Sequence, residues 1–597
     1  MDFLLQLLNI TLLSMEATWQ LQELNDIINA AGNSTEILTL AIFGQSQDIE
    51  PYIRVAETNN IPKLVMTRNY GDISFNYETG FNRKIFFIAV AALEHKAWWN
   101  HLNTAFLGRQ GYVKGVFITK LPRRRNPRLD LREHFEWCWR KGFTNALILV
   151  DNEKYYQLEY EIFNYNLFDG QKITNMTEFN KLELYPDKFR NLHKYKIRTL
   201  AQFDPPRVFE KRECVGKHKK HFLGYVATLF QAFLKEYNAE MDLMYFNMNK
   251  SYNIFDLIQR VENDEADLAI NPYIPYKGVH LSYPLRMLQR CVVVPFPKEQ
   301  SKYKFFIMPF ESKVWFSFLA TWFILSWAKL FGWFVKHKRS AHRSSAALDV
   351  TEIFLNVWRL MMYLPSFTSC CYVHFKWFNA LWFSLIVVMG FIFSNLYMAS
   401  LTSFFSGLTF KPTIDTLAQL IQRRIIVDVV DYEIPTILAN RDLPKALSEL
   451  LHARNASELM DDILALNTHH SYADLADRIQ FSLNQQIHLR RPVSQIVKEC
   501  LTTMPFGFLM PAHSQYERPL NRFILRSNAA GLIDKWFLEA IQDGYCSRIL
   551  TMRMPTLKIA RPLTLEHFQF GWFVLAGGYV VGVVLSRNNF DLLVYTG

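Results

Sequence analysis

The fold of this chain is decided by Lys376–Gln422, which begins KWFNALWFSLIVVMGFIFSNLYMASL, continues TSFFSGLTF and ends KPTIDTLAQLIQ. No residue from Phe378 to Leu401 is charged, and a helix of that length covers the hydrocarbon core of a bilayer, which is about 30 Å thick. Small residues near its end would let helix backbones approach closely in a membrane; they are Ala399, Ser400, Thr402 and Ser403. Phe404 and Phe405 follow, and an apolar constriction of this kind can gate a pore by dewetting.

Two other stretches predict membrane spans. Val314–Val335 carries one charge, Lys329, close enough to its end to reach the interface, and Phe568–Leu585 is uncharged. Between the first two spans, Leu348–Leu364 is too short and too polar to cross the bilayer. We interpret this segment as a re-entrant pore loop, which must be shielded by protein. A cytosolic amphipathic helix is the alternative.

The orientation follows from charge and from glycosylation sequons. The residues after the first span are basic, which places that loop in the cytosol; they are Lys336, Lys338, Arg339 and Arg343. The sequons begin at Asn33, Asn175, Asn249 and Asn455. Three crossings put all four sequons outside, whereas four crossings would put Asn455 inside. We therefore predict a multi-pass plasma-membrane protein with an extracellular amino terminus and a cytoplasmic tail, residues 586–597.

Composition and the amino-terminal residues narrow the class further. Half of the 597 residues are apolar and only 20% are charged, a balance expected when membrane spans are embedded in soluble domains. The net charge of +11 is spread out, and its densest cluster, Lys120–Arg128, contains two prolines and no aromatic residue. We interpret that cluster as a solvated loop and do not expect nucleic acid as a partner. Residues 1–18 read as a signal peptide without a basic start, or as an apolar first helix.

Residues 19–196 alternate short apolar runs with helix-like stretches such as Asp130–Lys141. The runs are Ile37–Phe43, Ile85–Val90, Gly115–Thr119 and Ala146–Val150. Strands that alternate with helices indicate an α/β layer domain.

The run Tyr397–Phe405, YMASLTSFF, resembles the pore-lining helix signature of ionotropic glutamate receptors and is closer still to that of insect chemosensory ionotropic receptors. Four other segments resemble this family in the same order: Asn263–Ile270, Met308–Trp315, Pro505–Pro511 and Leu563–Gln569. The resemblance covers roughly 197–586. It implies a multidomain α/β and α-helical membrane protein. A short amino-terminal domain would precede a bilobed, periplasmic-binding-protein-like clamshell, formed by 197–310 and 411–565 and split by the channel. The membrane part would have spans 314–335, 378–405 and 568–585 and the pore loop 348–364.

The resemblance also directs attention to a ligand site between the lobes. Glutamate receptors hold the agonist carboxylate with an arginine, whose planar fork lysine does not reproduce. The corresponding register falls on Val279 or on Pro275, and Lys277 is the nearest cation. We therefore expect a small-molecule ligand other than glutamate.

Three further positions match ligand-contacting positions of the family. Pro272 matches a proline whose carbonyl meets the agonist amino group, Arg207 stands at the aromatic lid position, and Asp477 aligns with the acidic residue that binds the ammonium. Together with Lys277 they are the candidate ligand-binding residues. For each charged one, a place on a solvated rim is the alternative.

The remaining reactive residues indicate no catalytic chemistry. Adjacent His469 and His470 and the cluster Lys217–His221 are read as surface residues, because no further ligands stand at metal-binding spacing. No nucleophile–base arrangement is visible, so we expect neither an enzyme nor a cofactor. Cys370 and Cys371 lie near the inner membrane face, as palmitoylation sites or an ordinary thiol pair. The resemblance implies a disulfide between Cys500 and Cys546.

The resemblance implies a subunit of a ligand-gated cation channel that acts as a taste or olfactory receptor in the dendrite or cilium of a sensory neuron. Its gate would be Tyr397, Ala399, Ser400, Leu401, Thr402, Ser403, Phe404 and Phe405. The resemblance implies a heterotetramer with longer-headed co-receptor subunits. One alternative is a non-conducting, membrane-anchored recognition or accessory protein that keeps the clamshell. A secondary transporter would need more spans and internal repeats than the chain has.

Overall fold

The computed structural model describes most of the chain. The described ranges are 24–29, 31, 39–45, 48–50, 52–53, 61–67, 85–90, 113–120, 127–154, 157–170, 172–176, 184–210, 222–247, 254–275, 280–339, 350–362, 377–406, 410–511, 514–555 and 565–594. The chain divides into two units, one comprising Met1–Pro295 with Asp415–Pro555 and the other Phe296–Ile414 with Thr556–Gly597. The larger part of the second unit, Phe296–Ile414, is therefore inserted into the sequence of the first, and the rest follows the first unit. The predicted signal peptide, residues 1–18, lies outside the described residues.

The amino-terminal part of the first unit is a seven-stranded sheet with the order β2-β1-β3-β4-β5-β6-β7. Its elements are β1 (Thr39–Gly44), β2 (Lys63–Thr67), β3 (Ile85–Val90), β4 (Lys114–Lys120), helix α1 (Pro127–Arg140), β5 (Asn145–Lys154), β6 (Gln157–Asn166) and β7 (Lys172–Asn175). Strands β1–β5 run parallel, whereas β6 and β7 are antiparallel additions. The four predicted apolar runs became β1, β3, β4 and β5, which confirms the α/β interpretation. Apolar residues at every position of β3 fit a parallel strand covered on both faces.

The residues after this sheet begin a second, curled sheet. The elements are β8 (Lys196–Gln202), β9 (Phe209–Glu210), β10 (Phe222–Leu223), α2 (Tyr225–Glu236), β11 (Glu240–Asn247), α3 (Ile254–Glu262), β12 (Leu268–Tyr273), β13 (His280–Leu281) and β14 (Arg286–Pro295). Helix α2 buries an apolar stripe that includes Tyr225, Leu229 and Phe233. That spacing of four residues marks one face of a helix, so α2 packs against the sheet along its length.

Three helices of the second unit follow: α4 (Ser312–Arg339), α5 (Val350–Met361) and α6 (Trp377–Ser406). The segments Ser312–Gly332 and Phe383–Phe405 are long and apolar enough to cross a membrane, judged by length and composition. Predicted pore-loop residues form α5, which packs against both. The Trp322 indole donates to the Phe354 carbonyl at 3.1 Å. A Cβ on Gly390 would lie 2.7 Å from the Met361 carbonyl oxygen, so α5 and α6 touch backbone to backbone there.

The chain then returns to the first unit. The elements are α7 (Leu417–Gln422), β15 (Val427–Val430), α8 (Ile434–Leu438), β16 (Leu451–Arg454), α9 (Ala456–Leu464), β17 (Ser471–Leu475), α10 (Ala476–Leu483), β18 (Ser494–Ile496), β19 (Thr502–Met510), α11 (Glu517–Ala529) and α12 (Leu532–Cys546). A last helix, α13 (Gln569–Val594), belongs to the second unit and contains most of the third predicted span, Phe568–Leu585. That span stays a prediction.

Two long strands join the halves of the curled sheet. Its order is β11-β8-β12-β19-β14-β17-β15-β16, with β13 beside β19 and β18 beside β14. Strands β14 and β19 pair with each other over Arg286–Arg290 and Thr502–Phe506. Beyond this overlap, β19 pairs with β12 and β13, and β14 pairs with β17 and β18. We call β8, β11, β12 and β13 the first half-sheet and β15–β18 the second half-sheet.

Candidate functional site

Arg207 lies in a tight turn that follows β8. The Asp204 amide donates to the Val208 carbonyl at 2.7 Å, and the Arg207 amide donates to the Asp204 carbonyl at 2.8 Å. The turn packs on the start of α2, where the amide of Tyr225 donates to the Pro206 carbonyl at 3.1 Å. The Arg207 carbonyl likewise accepts from the Ala227 amide at 3.2 Å. The Pro206 and Arg207 carbonyls thus satisfy amides that a helix start leaves without an intrahelical partner. The turn therefore fixes Arg207 relative to α2.

Gly224 permits this close packing. Its φ is +106°, a conformation that residues with a side chain rarely adopt. A Cβ at this position would lie 2.8 Å from the Pro206 carbonyl oxygen and closer still to that of Arg207. Any larger residue would push the turn away from α2 and displace the Arg207 side chain.

The guanidinium of Arg207 holds the carboxylate of Asp477 at two points. Nε lies 2.8 Å from Oδ2, and Nη2 lies 2.8 Å from Oδ1. Asp477 belongs to the first turn of α10, which follows β17 of the second half-sheet. The Tyr225 hydroxyl donates to Asp477 Oδ2 at 2.9 Å. Arg207 is 1% exposed and Asp477 is 2% exposed, so the two side chains meet away from bulk solvent. It fastens the turn on the first half-sheet to a helix on the second.

Further charges extend this contact into a buried network. Arg207 Nη1 also lies 3.1 Å from Asp204 Oδ2. Arg478 reaches Asp204 Oδ1 at 2.7 Å and Asp474 Oδ2 at 2.6 Å. Two guanidinium groups and three carboxylates thus alternate across the boundary between the half-sheets. Charge-assisted bonds of this kind are stronger than neutral ones, and removing one member leaves its partners buried and uncompensated.

The protonation states follow from this geometry. Burial by itself would raise the pKa of Asp477, but the Arg207 and Arg478 guanidinium groups and the Tyr225 hydrogen bond hold it below its ordinary value. Asp477 is therefore ionised at neutral pH. Glu433, also buried, lies beside Arg290, with Oε1 2.6 Å from Nη2. Burial raises the pKa of Glu433, although Arg290 opposes the shift.

The structure brings together two of the four predicted ligand residues, Arg207 and Asp477, and pairs them with each other. Their solvated-rim interpretation is wrong, because both side chains are buried. Pro272 is buried on β12, opposite Phe508 of β19. Lys277 lies outside the described residues.

Sequence reasoning missed Asp204, Tyr225, Asp474 and Arg478. The available signal was a concentration of charges in the otherwise apolar run Ser471–Ile479, SYADLADRI. Charges inside such a run are expected to be buried, and buried charges need partners of opposite sign.

The predicted disulfide between Cys500 and Cys546 is wrong. Cys500 forms its disulfide with Cys291 of β14, with a Cα–Cα distance of 4.2 Å, and Cys546 is an exposed free thiol at the end of α12. The physical reason is strand register. The Leu501 amide donates to the Arg290 carbonyl at 2.7 Å, which sets Cys500 directly beside Cys291. The resemblance pointed to a more distant cysteine on a helix instead.

The predicted gate residues occupy the last turns of α6 and pack against the 3₁₀ turn Lys302–Phe306, which we call the collar. The Tyr397 hydroxyl donates to the Phe306 carbonyl at 3.1 Å. The Phe405 ring lies 5.9 Å from the ring of Phe305 and 6.0 Å from that of Phe306. Phe404 stacks on Phe305 at 6.5 Å. The segment entering the apolar helices thus contacts the end of α6.

The linkers on either side of the apolar helices run next to each other. Glu299 and Phe410 form an antiparallel bridge, and the rings of Phe296 and Phe410 lie 6.1 Å apart. The Lys411 amide donates to the Lys298 carbonyl at 3.3 Å. A pull on one linker therefore reaches the other.

Two predicted glycosylation sites lie on the described surface. Asn175 is exposed at the end of β7, and Asn455 is exposed at the start of α9, where its side-chain oxygen accepts from the Ser457 amide at 3.1 Å. Asn33 and Asn249 lie outside the described residues, as do Cys370, Cys371 and the cluster 217–221.

No family model matches this chain, and no curated protein matches it at a significant level. The functional interpretation therefore rests on the geometry of the described residues and on the motifs of the sequence.

Proposed function

We propose that this chain is a subunit of a ligand-gated cation channel with a chemosensory role, in a heterotetramer with co-receptor subunits at the plasma membrane of a sensory neuron. One observation carries the proposal. The chain leaves the curled sheet after β14, forms the apolar helices α4 and α6, and returns to complete the same sheet. An anchor at one end of a domain needs no such insertion. An insertion makes every rearrangement of the sheet pull on both ends of the helical segment.

The placement of α5 supports a pore rather than a plain anchor. The rings of Phe318 and Trp358 pack edge to face with their centroids 5.8 Å apart, and the Trp322 indole donates a hydrogen bond to the Phe354 carbonyl. Because Phe318 and Trp322 are internal residues of the first candidate span, α5 runs alongside that span rather than beyond its end. Backbone groups at membrane depth are tolerated when protein covers them. The re-entrant loop therefore fits the packing better than a cytosolic helix does.

The collar offers a route from the sheet to the gate. In the proposed clamshell, a small molecule favours one arrangement of the two lobes by binding it more tightly than the other. Movement of β14 is transmitted through its continuation to the collar, whose aromatic rings hold Phe404 and Phe405. Displacing the collar would release the end of α6. The apolar constriction would then widen and fill with water, which allows ions to pass.

The contact between Arg207 and Asp477 favours a second candidate function. These two predicted ligand-binding residues satisfy each other across the half-sheets. A protein that keeps the lobes fastened in this way could act as a non-conducting recognition or accessory subunit. A conducting receptor would need a ligand that opens this network or binds elsewhere.

The test is whole-cell current from the chain expressed with and without long-headed co-receptor subunits, across amines, acids, salts and sugars. A ligand-evoked cation current that requires both chains supports the channel. Phe404→Ser should give current without ligand, because a hydroxymethyl group wets the constriction. Phe331→Ser is the matched control, since Phe331 is 69% exposed on α4 and lies outside the gate. Silence of Phe404→Ser in a complex shown to be at the cell surface would favour the non-conducting function.

A further inference from the structure

A cavity lies between α1 of the amino-terminal sheet and the first half-sheet, away from the Arg207 network. Its volume is about 690 Å³, within the range of about 300–1,000 Å³ that is typical of ligand pockets. Its wall includes aromatic side chains from both sides, Trp137 and Trp139 from α1 and Tyr195 and Tyr516 from the other side. Nothing in the proposed gating scheme uses this cavity.

Four buried polar atoms of the cavity wall have no hydrogen-bond partner in the described part of the chain. They are Trp139 Nε1, Ser514 Oγ, Gln515 Oε1 and Tyr516 Oη. Trp139 is 7% exposed and Tyr516 is 1% exposed. Buried polar groups in proteins almost always have a partner, so a cluster of four around one cavity calls for an explanation. The set contains donors and an acceptor, and it therefore complements a molecule that both accepts and donates hydrogen bonds.

The charges around the cavity cancel. Three basic and three acidic residues line it: Arg140, Lys141, Arg198, Glu136, Asp264 and Asp267. The Arg198 guanidinium holds Asp267 at 2.8 Å, and Glu136 accepts from Arg132 at 3.1 Å. Because basic and acidic residues are present in equal number, the wall has no excess charge to compensate the lost hydration of a charged ligand. The wall favours an uncharged ligand.

Aromatic packing behind the wall holds the unpartnered atoms in place. The Trp139 ring stacks on Phe189 at 6.3 Å, and Phe189 meets Tyr516 edge to face at 6.3 Å. Trp139 and Tyr516 thus share one neighbour although they come from opposite sides of the cavity. Flat rings with fixed polar edges are well suited to orient a flat ligand.

We propose that this cavity binds a small uncharged aromatic molecule that carries a hydroxyl or amide group. The ring lies among the aromatic side chains, the ligand oxygen accepts from the Trp139 indole or the Tyr516 hydroxyl, and the ligand O–H or N–H donates to the Gln515 side-chain oxygen. This assigns small-molecule recognition to a site other than the predicted ligand site between the half-sheets. Binding here stands independently of whether the chain conducts ions.

The test uses the full chain in lipid nanodiscs and the photoreactive probe 4-(trifluoromethyldiazirinyl)benzyl alcohol, with labelled peptides identified by mass spectrometry. We expect label on peptides that contain residues 136–141 and 514–516, displaced by excess benzyl alcohol. Trp139→Phe combined with Tyr516→Phe keeps an aromatic ring at both positions but removes two donors, and it should raise the half-saturating probe concentration about 10-fold, as expected for two hydrogen bonds. Tyr237→Phe is the matched control, because its hydroxyl bonds Pro519 at 3.4 Å outside the cavity.

Two results would overturn the proposal: label confined to other peptides, or equal labelling of the double variant and the native chain. If the double variant loses its native thermal transition, Tyr516→Phe alone decides the question, since it removes one proposed donor and keeps the ring. Unchanged half-saturation of Tyr516→Phe would then count against the site. None of these readouts depends on current, so failure of the channel function remains separable from failure of this site.

Discussion

Arg207 and Asp477 hold each other through two contacts of 2.8 Å although 270 residues separate them in sequence. One belongs to the turn after β8 and the other to the start of α10, so the pair crosses from the first half-sheet to the second. Both side chains are buried. The positions that the sequence assigned to ligand recognition therefore serve, in this arrangement, to fasten the two halves.

Removing one partner of this pair should be strongly destabilising. We expect Arg207→Met to cost about 3–5 kcal/mol, because Asp204 and Asp477 remain buried with less compensation. Combining it with Asp477→Leu should cost less than the sum of the two single changes. Thermal unfolding of the detergent-solubilised chain measures the difference.

The control for this cycle is Arg526→Ala. Arg526 pairs with Glu236 at 2.6 Å, but its side chain is 62% exposed, and exposed pairs contribute about 0–1 kcal/mol. Strict additivity in the Arg207–Asp477 cycle would contradict the direct coupling of the two residues.

The disulfide makes a prediction about cysteine chemistry. Peptide mapping without reductant should recover Cys291 linked to Cys500, and Cys546 should react with maleimide in the folded chain because it is exposed. Cys546→Ser should leave the cross-link intact, whereas Cys500→Ser should leave Cys291 reduced. Recovery of a peptide linking Cys500 to Cys546 would refute this pairing.

The contact between α5 and α6 can be tested at Gly390. A Cβ there would meet the carbonyl oxygens of Leu360 and Met361 at 2.8 Å and 2.7 Å, and backbone atoms cannot rotate away as a flexible side chain can. Gly390→Ala should lower the thermal midpoint and surface delivery, with an expected cost of about 1–3 kcal/mol for overpacking. Gly332→Ala is the control, since nothing lies within 4 Å of the added methyl group. Equal behaviour of the two variants would mean that α5 does not pack against α6.

The amino-terminal sheet should lose stability in mild acid. His134 lies on the buried face of α1 with its ring 4.5 Å from that of Phe117, and burial lowers its pKa to about 3. The unfolded chain binds a proton below an ordinary histidine pKa of about 6.5, whereas the folded chain does not, so stability falls as the pH drops through that value. At pH 5 the expected loss is about 2 kcal/mol.

His134→Phe should remove this part of the pH dependence while keeping an aromatic ring against Phe117. The measurement compares thermal midpoints at pH 7 and pH 5 for both chains. A native chain and a His134→Phe variant with identical shifts between the two pH values would rule out His134 as the source.

How far the sequence predicts this structure depends on the range of the interactions. Four of the seven strands of the amino-terminal sheet, β1, β3, β4 and β5, were predictable because each contains a continuous apolar run, a property of a few neighbouring residues. The apolar helices were predictable for the same reason. The burial of Arg207 was not, because its partner Asp477 comes from the far side of the inserted unit. Local pattern indicates which residues are apolar, but it does not indicate which distant charges meet.

The Cys291–Cys500 disulfide also depends on residues far apart in sequence, so local sequence pattern does not predict it. Cys291 stands in an apolar strand, where a buried thiol would be unremarkable. Only the pairing of Arg290 with Leu501 brings it next to Cys500, and this register depends on the whole curled sheet. The family resemblance predicted Cys546 as the partner of Cys500, whereas the strand register pairs Cys500 with Cys291.

The insertion of the apolar helices also delays the synthesis of strands that complete the curled sheet. Strand β12 ends at Tyr273, but its neighbour β19 ends only at Met510. Ribosomes add about 5–20 residues per second, so the intervening stretch of about 240 residues takes roughly 12–50 s to translate. During that interval β12 presents an open edge, which is a template for pairing with other chains. The first half-sheet therefore stays incomplete while the apolar helices leave the ribosome. Its missing neighbour, β19, is synthesised only near the end of translation.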